Sequence, residues 1–202
     1  MPKRNEILII GNGHSVLDNS FGEKINQFPV VGRINNYSTI EFEEYVGHKT
    51  DIWFNGANQN LKKRKEMPKE VVVFIPVEIL QRKKEKIHDR ITKRLYIPKE
   101  KYSLIPLDTM ERYEKHLDVK RPTTGTSSIL WGLENFEKVF IHGFDFFIDS
   151  KTHYNENIII KWLIDWGIYK KAGKHNMIAE KQYIEKLIRD NKVTPLKGNL
   201  KQ

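Results

Sequence analysis

The amino-acid sequence predicts an α/β protein in which helices wrap a parallel sheet. Short apolar runs rich in β-branched residues alternate along the chain with longer helical patterns. The runs are continuously apolar, which is typical of parallel strands that are buried on both faces. A length of 202 residues suffices for one domain with a full hydrophobic core and is short for two. We therefore expect a single domain over residues 1–202, with ligands at the carboxyl ends of its strands.

Six apolar runs are predicted strands, and two longer patterns are predicted helices. The strands are expected at 6–10 (EILII), 28–34 (FPVVGRI), 51–55 (DIWFN), 70–76 (EVVVFIP), 138–144 (KVFIHGF) and 192–196 (KVTPL). Residues 128–136 (SILWGLENF) form a predicted helix that leads into the fifth strand. Residues 179–191 (AEKQYIEKLIRDN) form a predicted amphipathic helix that stops at Asn191.

The composition excludes several classes of protein. With 39% hydrophobic and 11% aromatic residues, the chain can bury a packed core, so we expect a globular protein. The absence of cysteine excludes thiolate chemistry and a disulfide framework. The apolar run near the N-terminus has four residues before Gly11, far short of a signal-peptide core or a membrane span. These features lead us to expect a cytoplasmic location.

A net charge of +9 favours anionic partners such as nucleic acid, a membrane face or a nucleotide-activated substrate. Much of the positive charge lies in residues 60–70 (NLKKRKEMPKE) and 81–101 (QRKKEKIHDRITKRLYIPKEK). These segments are either solvated helix faces with their loops, or a patch for an anionic acceptor or the inner face of a membrane. No aromatic residue interleaves the cations of 60–70 or 81–90, which disfavours a nucleic-acid-binding protein.

Residues 7–15 (ILIIGNGHS) run from a predicted strand into a Gly-Asn-Gly turn. Such a turn lets the backbone approach a phosphate and leaves the N–H groups of the following helix free to bind it. The dinucleotide-binding fingerprint is incomplete, because its third glycine position is Val16. The second strand also ends in GRINNY, without the acidic residue that would bind a ribose. A nicotinamide cofactor is therefore disfavoured.

Asparagine stands at the carboxyl ends of three of the predicted strands, as Asn12, as Asn35 with Asn36, and as Asn55. A side-chain amide offers both donors and an acceptor without charge, which suits a ribose, a pyrimidine edge or a phosphate. It is equally consistent with the sequence that these asparagines are ordinary turn residues.

Four segments resemble the CMP-sialic acid dependent sialyltransferases, both the animal and the bacterial type. Residues 7–54 are similar to the long sialyl motif, and residues 121–147 (RPTTGTSSILWGLENFEKVFIHGFDFF) to the short motif. Residues 153–157 (HYNEN) resemble the small His-Tyr motif, and residues 175–181 (HNMIAEK) the His-x4-Glu motif. Each segment alone could match by chance, and the order and spacing of all four make the resemblance specific.

The resemblance implies a fold and a reaction. The fold is a Rossmann-like, doubly wound parallel sheet, a single-domain variant of the GT-A glycosyltransferase type. The reaction is inverting, metal-independent transfer of sialic acid from its CMP-sugar to a glycan or glycolipid hydroxyl, with no cofactor besides that donor substrate. A related donor such as CMP-Kdo presents the same nucleotide half and stays open. A nucleic-acid-binding protein and a catalytically inactive, nucleotide-binding relative stay open as well.

Residue by residue, the resemblance also implies a donor site and a catalytic group. His175 is the implied general base, and His153 and Tyr154 are candidate donors to the leaving phosphate. Glu180 either orients His175 or anchors the helix that follows it. The implied donor-nucleotide residues are Asn12, Gly13, Ser15, Asn35, Asn55, Thr123, Thr124 and Gly125.

Overall fold

The computed structural model describes residues 2–145 and 176–196. The strands of this part are β1 (Arg4–Ile10), β2 (Val31–Ile34), β3 (Ile52–Asn55), β4 (Glu70–Val73), β5 (Ser103–Leu104), β6 (Phe136–His142) and β7 (Val193–Pro195). They form one parallel sheet in the order β5-β4-β3-β2-β1-β6-β7. The predicted parallel α/β sheet is confirmed, and all six predicted strands lie in it. Strand β5 was not predicted, because a two-residue edge strand leaves no apolar pattern.

The described helices connect the strands and follow them in the chain. They are α1 (Gly22–Asn26), α2 (Glu43–Val46), α3 (Val77–Arg82), α4 (Ile87–Leu95), α5 (Leu107–Leu117), α6 (Thr124–Asn135) and α7 (Met177–Arg189). Both predicted helices are present as α6 and α7. Helix α7 ends just before Asn191, which has a left-handed φ of 55°. Among the described residues, no helix combines the length and the apolar composition needed to cross a bilayer.

Helices pack on both faces of the sheet, as a doubly wound fold requires. Strand β1 shows this directly, because its successive side chains point to opposite faces. Ile7 and Ile9 belong to one hydrophobic cluster, which includes residues of α6. Leu8 and Ile10 belong to a second cluster, which includes residues of α1 and α2.

The strand order reverses between β1 and β6. Strands β1 to β5 extend to one side of this point, and β6 and β7 lie on the other. In open α/β sheets, ligands bind outside the carboxyl ends of the strands where the order reverses. Here those ends are Ile10 and His142, which are paired in register. The fold therefore places a ligand crevice beside the turns that follow β1 and β6.

Candidate functional site

The turn after β1 lies directly against the turn after β6. The N–H of Gly11 donates to the carbonyl of His142 at 2.8 Å, and that of Gly13 to the carbonyl of Gly143 at 3.0 Å. A Cβ atom on Gly11 would stand 2.9 Å from the Gly143 carbonyl carbon and closer still to its oxygen. Gly143 itself has a φ of +71°. Gly11 is needed because backbone meets backbone, and Gly143 because its φ is left-handed and a Cβ there would overlap Cγ1 of Val16.

The hydrogen-bond donors in the turn after β1 bind a carboxylate of the chain itself, that of Asp145. The Ser15 N–H donates to Oδ2 of Asp145 at 3.0 Å, and the Ser15 hydroxyl donates to Oδ1 of the same residue. A Cβ on Gly13 would overlap this carboxylate. Asp145 thus occupies both hydrogen-bond donors of Ser15 in this structure. Binding of a phosphate by this turn stays a prediction.

Asparagine side chains link the ends of neighbouring strands. The Asn12 amide, which is 8% exposed, donates through Nδ2 to the carbonyl of Ile34 at 3.0 Å. Asn35 takes a left-handed φ of 48°, and its Oδ1 accepts from the Gly56 N–H at 3.2 Å. These contacts join the turn after β1 to the end of β2, and the end of β2 to the turn after β3.

Asn55, the last residue of β3, is fully buried. Its Oδ1 accepts from the Ala57 N–H at 3.1 Å. Its Nδ2 has no hydrogen-bond partner among residues 2–145 and 176–196. Leaving a buried amide donor unpaired costs free energy, so such a group in a folded protein calls for a partner such as a bound ligand.

Helix α6 begins beside these strand ends. A Cβ on Gly56 would stand 3.0 Å from the Thr124 hydroxyl. A Cβ on Gly125 would stand 3.1 Å from the Phe144 ring and 3.7 Å from Ile34. The first turn of α6 therefore touches the ends of β2, β3 and β6 at once. The structure brings the predicted residues Asn12, Asn35, Asn55 and Thr124 to one edge of the sheet.

A buried carboxylate from α7 holds the start of α6. Thr123 is the N-cap of α6, where its hydroxyl oxygen accepts from the Thr126 N–H at 3.1 Å. Glu180 is fully buried and accepts from the Thr123 N–H at 3.0 Å and from the Thr123 hydroxyl at 2.6 Å. The Thr126 hydroxyl also donates to Glu180. Glu180 thus anchors α7 to α6, one of the two roles that the sequence left open.

Comparison with known proteins decides the family. The family model of glycosyltransferase family 29 (sialyltransferase) matches residues 5–192. The chain belongs to this family. The predicted resemblance to sialyltransferases is thereby confirmed, and with it the assignment to a family of glycosyltransferases.

Two crystal structures of a mammalian sialyltransferase share the family 29 fold of this chain. Their TM-scores are 0.68 and 0.70 at 21% and 20% identity, and each match covers 97% of this chain and 70% of the other. The first is a complex with Gal-beta-1-3GalNAc-ortho-nitrophenol. The β-1,6-galactosyltransferase GALT29A of Arabidopsis thaliana is 38% identical over 50 residues, which are 25% of this chain and 13% of that relative. The match therefore spans a small part of that relative's length.

Two arginines of this family 29 chain bind backbone carbonyls on either side of β2, Arg33 in the loop before β3 and Arg64 at Asn35, and sequence reasoning assigned a role to neither. Arg33 is fully buried and donates to the carbonyls of Lys49 at 3.1 Å and Gly47 at 3.2 Å. The Arg64 guanidinium donates to the Asn35 carbonyl at 2.9 Å, and its carbon lies 3.4 Å from the Tyr37 ring centroid. For Arg64 the signal in the sequence was an arginine within a run of lysines, since arginine stacks on aromatic rings and lysine does so less well.

Three predicted catalytic residues of the family 29 chain, His153, Tyr154 and His175, lie outside the described residues. The remaining predicted residues have the contacts given above. Two of them, Ser15 and Thr123, have donors that are engaged by the carboxylates of Asp145 and Glu180. Their roles toward a donor substrate stay predictions.

His142 is the buried histidine beneath the site. It is 8% exposed, and its ring centroid lies 5.4 Å from that of Phe21. Burial lowers the pKa of His142 below its ordinary value of 6.5, and Arg33 adds to this effect. A hydrogen bond that the imidazole donates to the backbone of Val16 and the charges of Asp145 and Asp18 oppose this lowering of the pKa. The imidazole is therefore neutral at pH 7, which suits packing rather than charge-based binding.

This pKa predicts how stability depends on pH. As the pH falls below about 6.5, His142 gains a proton in the unfolded chain before it does so in the folded one. The free energy of unfolding should therefore decrease as the pH falls from 7 toward 5.5. In urea unfolding from pH 7 to pH 5.5, the free energy of unfolding should decrease less steeply for His142→Gln than for the wild type. Equal slopes for the variant and the wild type would contradict the assignment.

Proposed function

We propose that this family 29 protein transfers sialic acid, or a related ulosonic acid, from its CMP-sugar to a glycan hydroxyl with inversion. Family membership supports a sugar-nucleotide donor and a glycan acceptor. The observation that carries the proposal is the meeting of three strand ends with the start of α6, beside the buried amide of Asn55. Uncharged amide and hydroxyl groups at this edge suit a nucleoside monophosphate.

The start of α6 is our proposed site for the phosphate. The N–H groups of Thr124 and Gly125 lie in the first turn, where a helix offers them no acceptor. Asn55 Nδ2 adds a neutral donor from β3. Because Asp145 holds both donors of Ser15, we assign the phosphate to α6, and Asn12, Gly13 and Asn35 to the nucleoside. Preorganised donors of this kind can stabilise a departing phosphate, so the proposal includes no metal.

His175 is the proposed general base, by its place in the His-x4-Glu motif. Inversion requires a group that takes the proton of the acceptor hydroxyl as that hydroxyl attacks. Histidine suits this step near neutral pH, because its ordinary pKa is about 6.5. His153 and Tyr154 are proposed as further donors to the leaving phosphate. Anchoring of α7 by Glu180 would then fix the helix that follows the base.

Competing functions for this site differ mainly in the sugar nucleotide that serves as donor substrate. One relative is named a β-1,6-galactosyltransferase, so a different sugar nucleotide is the first competing donor. A CMP-sugar other than CMP-sialic acid is the second. An inactive relative would bind the nucleotide without turnover.

Calorimetric titration with CMP and UMP tests the donor. We expect CMP to bind more tightly than UMP. Asn55→Asp keeps the side-chain shape but replaces the buried donor by a carboxylate oxygen, so CMP affinity should fall about tenfold or more. The matched control is Asn5→Asp, an exposed residue near the start of β1 and so at the opposite end of the strands from the site, which should bind CMP as the wild type does. Tighter binding of UMP would overturn the CMP assignment.

A transfer assay against a panel of glycans tests the chemistry. His175→Ala should lower the transfer rate about 100-fold or more, with CMP affinity retained, and a chelator should leave the wild-type rate unchanged. An unchanged rate in His175→Ala would remove His175 as the base. CMP binding by the wild type, without transfer or donor hydrolysis, would identify an inactive relative.

A further inference from the structure

The positive charge of the chain is concentrated in one stretch of the sequence. Residues 60–101 contain fourteen Lys and Arg residues and six Asp and Glu residues. This stretch therefore accounts for nearly the whole net charge of +9. The stretch runs through β4, α3 and α4 to the edge strand β5, so it belongs to one side of the sheet.

Part of this charge forms one surface, which we call the basic face. Its members are exposed lysines from the loop after β3 and from the end of α4 and the turn that follows: Lys62, Lys63, Lys65, Lys93 and Lys99. Two contacts join the two segments. The Arg94 guanidinium donates to the Ala57 carbonyl at 2.6 Å, and Lys63 Nζ lies 5.7 Å from the Tyr96 ring centroid. The acidic side chains of these two segments are Glu66 and Glu100.

The basic face is fixed to the rim of the proposed donor site. Asn36 donates through Nδ2 to the Asn60 carbonyl at 2.8 Å and accepts through Oδ1 from the Lys62 N–H at 2.8 Å. Arg64, from the same loop, donates to the Asn35 carbonyl. The lysines of the loop therefore keep a set position beside Asn35.

Exposed apolar side chains accompany the lysines. Tyr96 is 59% exposed at the end of α4, and Met67 is 40% exposed in the loop. Lysines around an exposed tyrosine are typical of surfaces that enter the headgroup region of a bilayer. A single-stranded nucleic-acid surface would instead carry several stacking aromatic rings, whereas Tyr96 is the exposed aromatic ring of the basic face.

We propose that the basic face is a docking surface for a bilayer that contains anionic lipids. The lysines supply attraction to the lipid phosphates, and Tyr96 and Met67 supply apolar contact. Docking would hold the rim at Asn35 next to the bilayer, where an acceptor carried on a lipid would be within reach. The docking does not depend on the transfer reaction, so either proposal can fail without the other.

Vesicle co-sedimentation of the full chain tests the docking surface. We expect binding to phosphatidylcholine vesicles that contain phosphatidylglycerol, weak binding to phosphatidylcholine alone, and release at high salt. The double variant Lys62→Glu, Lys63→Glu should lower the partition coefficient about tenfold or more. The matched control is Lys186→Glu, Lys192→Glu, which makes the same charge change at exposed positions near the opposite sheet edge.

Three results would overturn the docking proposal. One is an absence of binding to the anionic vesicles at low salt. Another is an equal loss in both double variants, which would mean that net charge alone drives binding. The third is RNA or DNA that binds the basic face more tightly than the vesicles and displaces them.

Discussion

Replacing Glu180 with alanine should lower the free energy of unfolding by about 3–5 kcal/mol. The fully buried carboxylate accepts from the N–H and hydroxyl of Thr123 and from the hydroxyl of Thr126. Its removal leaves these donors unpaired and opens a cavity between α6 and α7. Because the start of α6 forms part of the candidate site, CMP affinity should fall as well. Urea unfolding and calorimetry measure the two effects.

Two further variants sharpen this expectation. Glu180→Gln keeps one acceptor oxygen and the side-chain volume, so its loss of stability should be smaller than that of Glu180→Ala. Glu185→Ala removes an exposed carboxylate on the same helix, whose partner Lys181 lies 3.9 Å away. Its effect should stay below about 0.5 kcal/mol, as is usual for exposed ion pairs. A loss below about 1 kcal/mol in Glu180→Ala would contradict the anchoring role.

Replacing Gly11 with alanine should destabilise the protein by about 3 kcal/mol or more. The added Cβ meets the backbone of Gly143, which cannot rotate away as a side chain would. The ends of β1 and β6 would have to separate, and these strands form the most extensive register of the sheet. The turn that leads to Asn12 would move with them, so the variant should also lose CMP binding.

Gly132→Ala is the matched control for this substitution. Gly132 is also buried, and its added Cβ would stand 3.1 Å from Cδ1 of Ile9, the end of a flexible side chain. Alanine also favours a helix interior by about 1 kcal/mol over glycine, which offsets a small shift of Ile9. Thermal unfolding of both variants gives the comparison. Equal melting temperatures would show that the approach of β1 to β6 tolerates a methyl group.

The sheet was predictable from the sequence because its strands are buried on both faces. Such strands appear as continuous apolar runs, so β1 and β6 were visible without any knowledge of their pairing. The positions of Asn12, Asn35 and Asn55 at the ends of successive strands also predicted that they would lie together at one end of the sheet. Parallel strands place their carboxyl ends together, and no further information was needed for that step.

The contacts of the two buried or half-buried carboxylates were not predictable. Asp145 and Ser15 are 130 residues apart in the chain, and Glu180 and Thr123 are 57 apart. A single sequence contains periodicity and local turn chemistry, and neither reports which distant side chains meet. The contacts of Arg64 with Asn35 and Tyr37 were not predictable for a different reason. A run of basic residues has the same sequence pattern whether its side chains are solvated or packed.

Strand β1 has a consequence for the order of events during synthesis. One edge of β1 pairs with β2, which follows closely in the chain. The other edge pairs with β6, which comes much later, so that Arg4 lies opposite Phe136. While the ribosome is still adding residues before β6, the second edge of β1 has no partner strand to bind. Such long-range parallel pairing is slow and leaves an open edge exposed to other chains. We therefore expect the nascent chain to be most prone to aggregation until β6 has left the ribosome.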